Sequence, residues 1–141
     1  MTTEDNKAIV RRYYEALWNK WDMTLADDLI AADIAFRGSL GLNMQGIKSF
    51  KEYMAMVRVA FPDFHNAIEE LIAEGDQVVA RMSYSGSHRG ELYGLAPTGK
   101  HVTYSGIAIF RIKGNKIATG WVIGDALGLM KQLGAVHAPG H

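Results

Sequence analysis

The chain has 141 residues, 48% of them hydrophobic, with 15 basic residues balanced by 15 acidic ones and no cysteine. A single domain over residues 1–141 is expected, and a chain of that size buries about two-thirds of its unfolded surface without disulfide or metal support. The missing thiols exclude disulfides, thiolate nucleophiles and cysteine-held metal centres, and the balanced, run-free charge argues against nucleic acid as a partner.

The N-terminus, MTTEDNKAIVRRYY, is polar and then amphipathic, without the apolar stretch of a secretory signal. No window approaches the ~18 apolar residues of a membrane span, so a cytoplasmic protein that engages no membrane is expected. Thr2 and Asp5 fit a capping box, and Ile9, Val10, Tyr13, Tyr14, Leu17 and Trp18 then form one apolar face at helical spacing. Asp22 can cap a short second helix carrying Leu25, Leu29 and Ile30. Asp33 to Gly38 alternate as a short strand, and a Gly-rich connection follows. Ile47, Phe50, Met54, Val57 and Phe61 mark a third helix closed by Pro62.

The second half reads as strands. Two runs flank Glu74-Gly75-Asp76, and two more flank Gly114-Asn115-Lys116. Between these hairpins lies a loop, Arg89 to Gly99. Ala126 to Leu133 predict a last helix, and the tail HAPGH is expected to fray. Helices followed by antiparallel strands make an α+β fold, with the helices packed on one face of the sheet. Long twisted strands curl, and a curled sheet under helices leaves a concave cavity suited to a small apolar or aromatic molecule.

Within GWVIGDALGLMKQLG, Asp125 is the only acid. In extended chain Trp121, Ile123 and Asp125 share a side, where partial desolvation would suit the carboxylate to acid/base work on a carbon acid. The same Asp begins the last helix and can serve simply as its N-cap. His88, at a strand end beside the loop, can hydrogen-bond a substrate oxygen or be an ordinary surface histidine. His65 and His101 fit exposed edge positions. The five histidines show no metal-ligand spacing, so no metal is expected. Nucleophile-elbow and phosphate-loop motifs are also missing. Tyr14 and Trp18 can be core residues or the roof of the pocket.

Three phrases in this order, FPDFHNAIEELIAEGDQVVAR, GSHRGELYGLAPTGKHVTYSGIAIFRIKGNKI and WVIGDALGLMKQLG, resemble the SnoaL-like polyketide cyclases of the NTF2-like superfamily, from about Lys7 to Gly134. The resemblance implies a curved antiparallel sheet with N-terminal helices on its concave face, a cone-shaped pocket, no cofactor, and a homo-oligomer (dimer or tetramer). It further implies Asp125 as the acid/base of an intramolecular aldol closure on an aromatic polyketide, the enolate being stabilised largely by the substrate's own conjugation. Many relatives carry an acid just before the Trp, where this chain has Thr119 and Gly120. Some use a histidine on the strand entering the last hairpin, which here has none.

The leading expectation is therefore a cofactor-free cyclase of polycyclic aromatic esters or ketones, with Asp125 and His88 catalytic. Trp121, Tyr14, Trp18, Phe36 and Met54 would form the walls, and His101 is a further candidate contact. The alternatives are a cofactor-independent hydroxylase of anthracycline-type rings, an epoxide hydrolase drawing on Asp33, Arg81 or Arg111, and a non-catalytic small-molecule-binding protein.

Overall fold

A computed structural model describes residues 2–135; the HAPGH tail lies outside them. In chain order the elements are α1 (Thr3–Arg12), a π-helical continuation (Tyr13–Trp18), a 3-10 turn (Met23–Leu25), α2 (Ala26–Leu29), β1 (Ile30–Arg37), β2 (Asn43–Gln45), α3 (Ile47–Ala60), β3 (His65–Glu74), β4 (Gln77–Ser87), β5 (His101–Lys113), β6 (Lys116–Gly124) and α4 (Ala126–Leu133). One curved, unclosed sheet carries all six strands in the order β2-β1-β6-β5-β4-β3, with the N-terminal helices on its concave side.

Local chemistry sets the element ends. The Thr2 hydroxyl accepts from Asp5 N–H while the Asp5 carboxylate accepts from Thr2 N–H, closing the capping box that starts α1. The β5–β6 turn needs positive φ at both central residues, which Gly114 and Asn115 supply at 58° and 64°. α3 stops at Ala60, two residues before Pro62.

Four features differ from the sequence reading. Ile30 leaves the second helix and opens β1. The Gly-rich connection contains β2, too short to show a period of its own, paired antiparallel to β1 through Phe36 and Met44. β1 also runs parallel to β6, a long-range pairing that puts Phe36 beside Gly120. The first helix widens at Tyr13, where Asn19 N–H reaches back to Tyr14 O. That extra residue in the turn lets Tyr13, Tyr14, Leu17 and Trp18 all be buried against the sheet.

Strand alternation then decides what each face carries. Val78, Ala80, Met82 and Tyr84 of β4 point inward, as do Val102, Tyr104, Ala108 and Phe110 of β5, and Gly120 and Val122 of β6. Phe110, fully buried, meets Tyr13 and Tyr14 edge-on at 5.3 and 5.8 Å. β5 extends beyond its pairing with β6. There Gln132 of α4 takes the place of a strand, accepting from Thr103 N–H at 3.0 Å and donating to Thr103 O at 2.8 Å.

Candidate functional site: an aromatic cavity with two lobes

The concave face and its helices enclose a cavity in two lobes. Tyr13, Tyr14, Trp18, Phe36, Asn66 and Tyr84 are among the walls of the inner lobe. Met56, Val57, Phe61, Leu92, Tyr93 and Tyr104 are among those of the outer one. Ser39, Tyr53 and Phe64 belong to both and form the wall the two lobes share. None of the lining residues is charged.

The rings are held by specific contacts. Tyr84 stacks on Phe64 at 6.0 Å and tilts against Tyr104 at 5.1 Å. Its ring lies where a side chain at Gly106 would otherwise stand: a Cβ there would come within 2.6 Å of Tyr84 Cε2. Gly120 leaves room for Phe36 in the same way. Asn19 fastens the π-helical turn to β3, donating to Asn66 O and accepting from Asn66 N–H, both at 2.8 Å. The cavity roof is thus tied to the sheet at Asn66.

Hydrogen-bond donors line this apolar space. Ser39 Oγ and Tyr104 Oη lie 3.5 Å apart. Tyr84 Oη is buried without a well-formed hydrogen bond, a cost normally avoided in native interiors; the Tyr14 hydroxyl beside it interacts with it only outside normal hydrogen-bond geometry. Burial raises the phenols of Tyr13, Tyr14, Tyr53 and Tyr84, and pushes Tyr104 up to about 12. At neutral pH they are therefore neutral donors. In the unfolded chain a tyrosine ionises near pH ~10, so between ~10 and 12 the native state holds more protons. The stability contributed by these buried neutral phenols is complete below pH ~10 and is lost as pH rises towards 12. In an alkaline titration the phenolate absorbance of the cavity tyrosines should appear together with loss of native circular dichroism; complete titration near pH 10 in a folded protein would contradict this.

The sequence candidates divide sharply. Tyr14, Trp18 and Phe36 line the inner lobe. Met54 is fully buried in the core but lines neither lobe. Trp121 lies outside both lobes and lines a separate outer groove with Met44 and Thr119. It is 45% exposed on the outer face, under the Arg37 guanidinium at 5.2 Å, because alternation along β6 turns Gly120 and Val122 inward instead. Asp125 follows the same alternation. It does share a side with Trp121 and Ile123, but that side is the outer one, where it is exposed and borders a groove with Arg81, Ser105 and Ile123. The partial desolvation expected there is missing. Its carboxylate accepts from Gly128 N–H at 2.9 Å, so it caps α4. Asp125→Ala should cost about 1 kcal/mol in stability and Asp125→Asn only a few tenths, as thermal melts would read.

His88 is fully buried. Thr98 N–H donates to its Nδ1 at 3.2 Å, which fixes the neutral tautomer with the proton on Nε2; that N–H is buried without a partner, on a ring 5.7 Å from Phe61. As placed, His88 can donate but not accept at Nε2. β5, the strand entering the last hairpin, begins one residue earlier than expected and so does carry a histidine: His101, exposed, with Nδ1 3.1 Å from Ser87 Oγ. Ser87 is bound in turn by Asp63, whose carboxylate accepts from its N–H and Oγ and is held below the usual range chiefly by the backbone bond. That serine gives its proton to the carboxylate rather than to His101, so the trio is a corner brace and not a nucleophile. No metal-binding cluster of His, Asp or Glu occurs among the described residues. Lining residues missed in the sequence, Tyr53, Asn66, Tyr84 and Tyr104 with Phe64, sit on four separate elements and the corner between α3 and β3. The inward alternation of Tyr84 and Tyr104 was the one usable signal.

The family model of SnoaL-like polyketide cyclases matches residues 8–133. The chain belongs to the SnoaL-like polyketide cyclase family. Solved structures of similar fold include TsrD from Streptomyces laurentii (25% identity, covering 96% of this chain and 99% of that one, TM-score 0.86). AclR from Streptomyces galilaeus, a proposed hydroxylase, is also 25% identical over 97% of this chain and 89% of that one, with a TM-score of 0.83. A proposed polyketide cyclase from Acidithiobacillus ferrooxidans is 28% identical over 94% and 97%, with a TM-score of 0.80. No functionally curated protein matches the chain. For a SnoaL-like protein the composition of β6 is notable: its inward positions, Gly120 and Val122, bring no acid or base to the cavity. No helix of the described chain is long and apolar enough to cross a membrane.

Proposed function

We propose that this SnoaL-like protein takes a neutral polycyclic aromatic ester or ketone into the aromatic cavity and promotes intramolecular aldol closure by holding the reacting ends together and donating to the developing oxyanion. The observation that carries this reading is Tyr84 Oη, a donor buried in an uncharged aromatic space with only the Tyr14 hydroxyl as a neighbour, outside normal hydrogen-bond geometry. A free carboxylate or ammonium buried there would lack a counter-charge, at a cost of several kcal/mol. The substrate is accordingly uncharged.

The chemistry needs little from ionisable side chains. A carbon flanked by two carbonyls reacts as its enol: the enol carbon bonds to the acceptor carbonyl carbon as that C=O π bond opens, and the enol O–H proton passes to the acceptor oxygen, so no base is consumed and no net charge is left. The cavity supplies orientation and preorganised donors, Tyr84 foremost. A cofactor has no part in this reading. Asp125, on the outer face, enters it only as the cap of α4.

Turnover of a panel of anthraquinone-type esters, with and without oxygen, tests the proposal. Ring closure that proceeds without oxygen supports it. Product formed only with oxygen would move the protein to the hydroxylase reading that the likeness to AclR favours. Binding without product would make it a small-molecule-binding protein. Trp121, Ile123 and Leu127, each about half exposed on or beside the outer face, support self-association through that face; a monomer in sedimentation at micromolar concentration would remove it.

A further inference from the structure

The cavity is narrow. A water's centre can reach only about 30 Å³ of the inner lobe and about 20 Å³ of the outer, against the ~300–1,000 Å³ of pockets that hold ligands of drug size. If the proposed function holds, some element must move before an aromatic substrate enters. α1, α3 and the sheet are poor candidates, since their fully buried aromatic side chains interlock across the core. The connection between β4 and β5 is built differently.

That connection is pinned at two points. On one side Arg89 N–H and Gly90 N–H both donate to Ala60 O, at 2.9 and 3.2 Å. Gly90 passes so close to the end of α3 that a Cβ there would stand 2.1 Å from Val59 O. On the other side Thr98 is held by His88 Nδ1, and Gly99 N–H donates to His88 O at 2.7 Å. Between the pins, residues 91–97 make hydrogen bonds only with each other, Leu92 with Leu95 in both directions. Tyr93 is in the left-handed region at φ 47°, unfavourable for a residue with a Cβ. Yet this segment places Leu92, 4% exposed, and Tyr93 over the outer lobe.

We propose that residues 91–97 are the lid of the cavity, turning between the Gly90 and Thr98 pins, with Leu92 as the plug that seats in the outer lobe. His88 is then a positioning residue for the lid: the ring that accepts from Thr98 holds the distal pin. Opening breaks no hydrogen bond to the body of the protein. It unseats Leu92 and the partly buried Leu95, whereas opening at α3 would expose Phe50 and Met54.

The proposal rests on the cavity being the binding site, and two measurements separate the two claims. Hydrogen exchange of the free protein is expected to show amides of residues 91–96 exchanging at least 100-fold faster than those of 101–104; equal protection overturns the lid whatever the cavity binds. Tyr93→Cys and Met56→Cys place one thiol on the lid and one on α3, across the same lobe, in a chain with no other cysteine. Bridging them with a short bis-maleimide should slow association of 1,8-dihydroxyanthraquinone, read by quenching of Trp18, at least 100-fold relative to the unbridged double variant. Equal association rates overturn the lid and leave the cavity reading intact. Absence of quenching in the unbridged variant and the unmodified protein alike overturns both.

Discussion

Tyr84→Phe is expected to lower turnover of a cyclisable anthraquinone ester by about 100-fold, the effect of removing one preorganised oxyanion donor, while the melting temperature stays level or rises slightly. The two halves of that expectation have one cause. Tyr84 Oη is buried without a well-formed hydrogen bond, so deleting it removes a poorly satisfied group from the folded state. The ring keeps its stacking on Phe64 and its seat over Gly106. A side chain whose loss leaves the fold intact and abolishes activity is there for the ligand. Equal falls in activity and stability would mark Tyr84 as core and nothing more.

Phe110→Ala carries the largest expected effect on stability, about 3–5 kcal/mol. Phe110 is fully buried on β5 and meets Tyr13 and Tyr14 edge-on, so its removal leaves a void beneath the π-helical roof. For a domain near this size each kcal/mol lowers the midpoint by about 2–8 °C; a fall of 10 °C or more in a thermal melt is expected. A fall below 4 °C would mean that the roof collapses onto the sheet and that the cavity is softer than described.

Much of the fold was readable because it is local. The capping box at Thr2, the stop at Pro62 and the two hairpin turns are set by neighbouring residues, and the structure keeps all of them. What could not be read was non-local. β2 has three residues, and the parallel pairing of β1 with β6 joins positions some eighty apart in the chain. The site suffered for the same reason. Alternation correctly grouped Trp121, Ile123 and Asp125, but nothing in β6 alone says which of its two faces meets the helices. That is decided by Phe36, which crosses from β1 into the space left at Gly120. Tyr14 and Trp18 lie on the cavity side of a helix whose widened turn has no marker in the sequence.

The central claim is that the chemistry belongs to the uncharged inner cavity and not to the carboxylate at the end of β6. Turnover by Asp125→Asn, relative to the unmodified protein, tests it most directly, because Asn keeps the cap on α4 and removes the acid. The account predicts a rate within about threefold of the original, a change of under 1 kcal/mol in the barrier. A loss of 100-fold or more at unchanged melting temperature would place the reaction at Asp125 and contradict it.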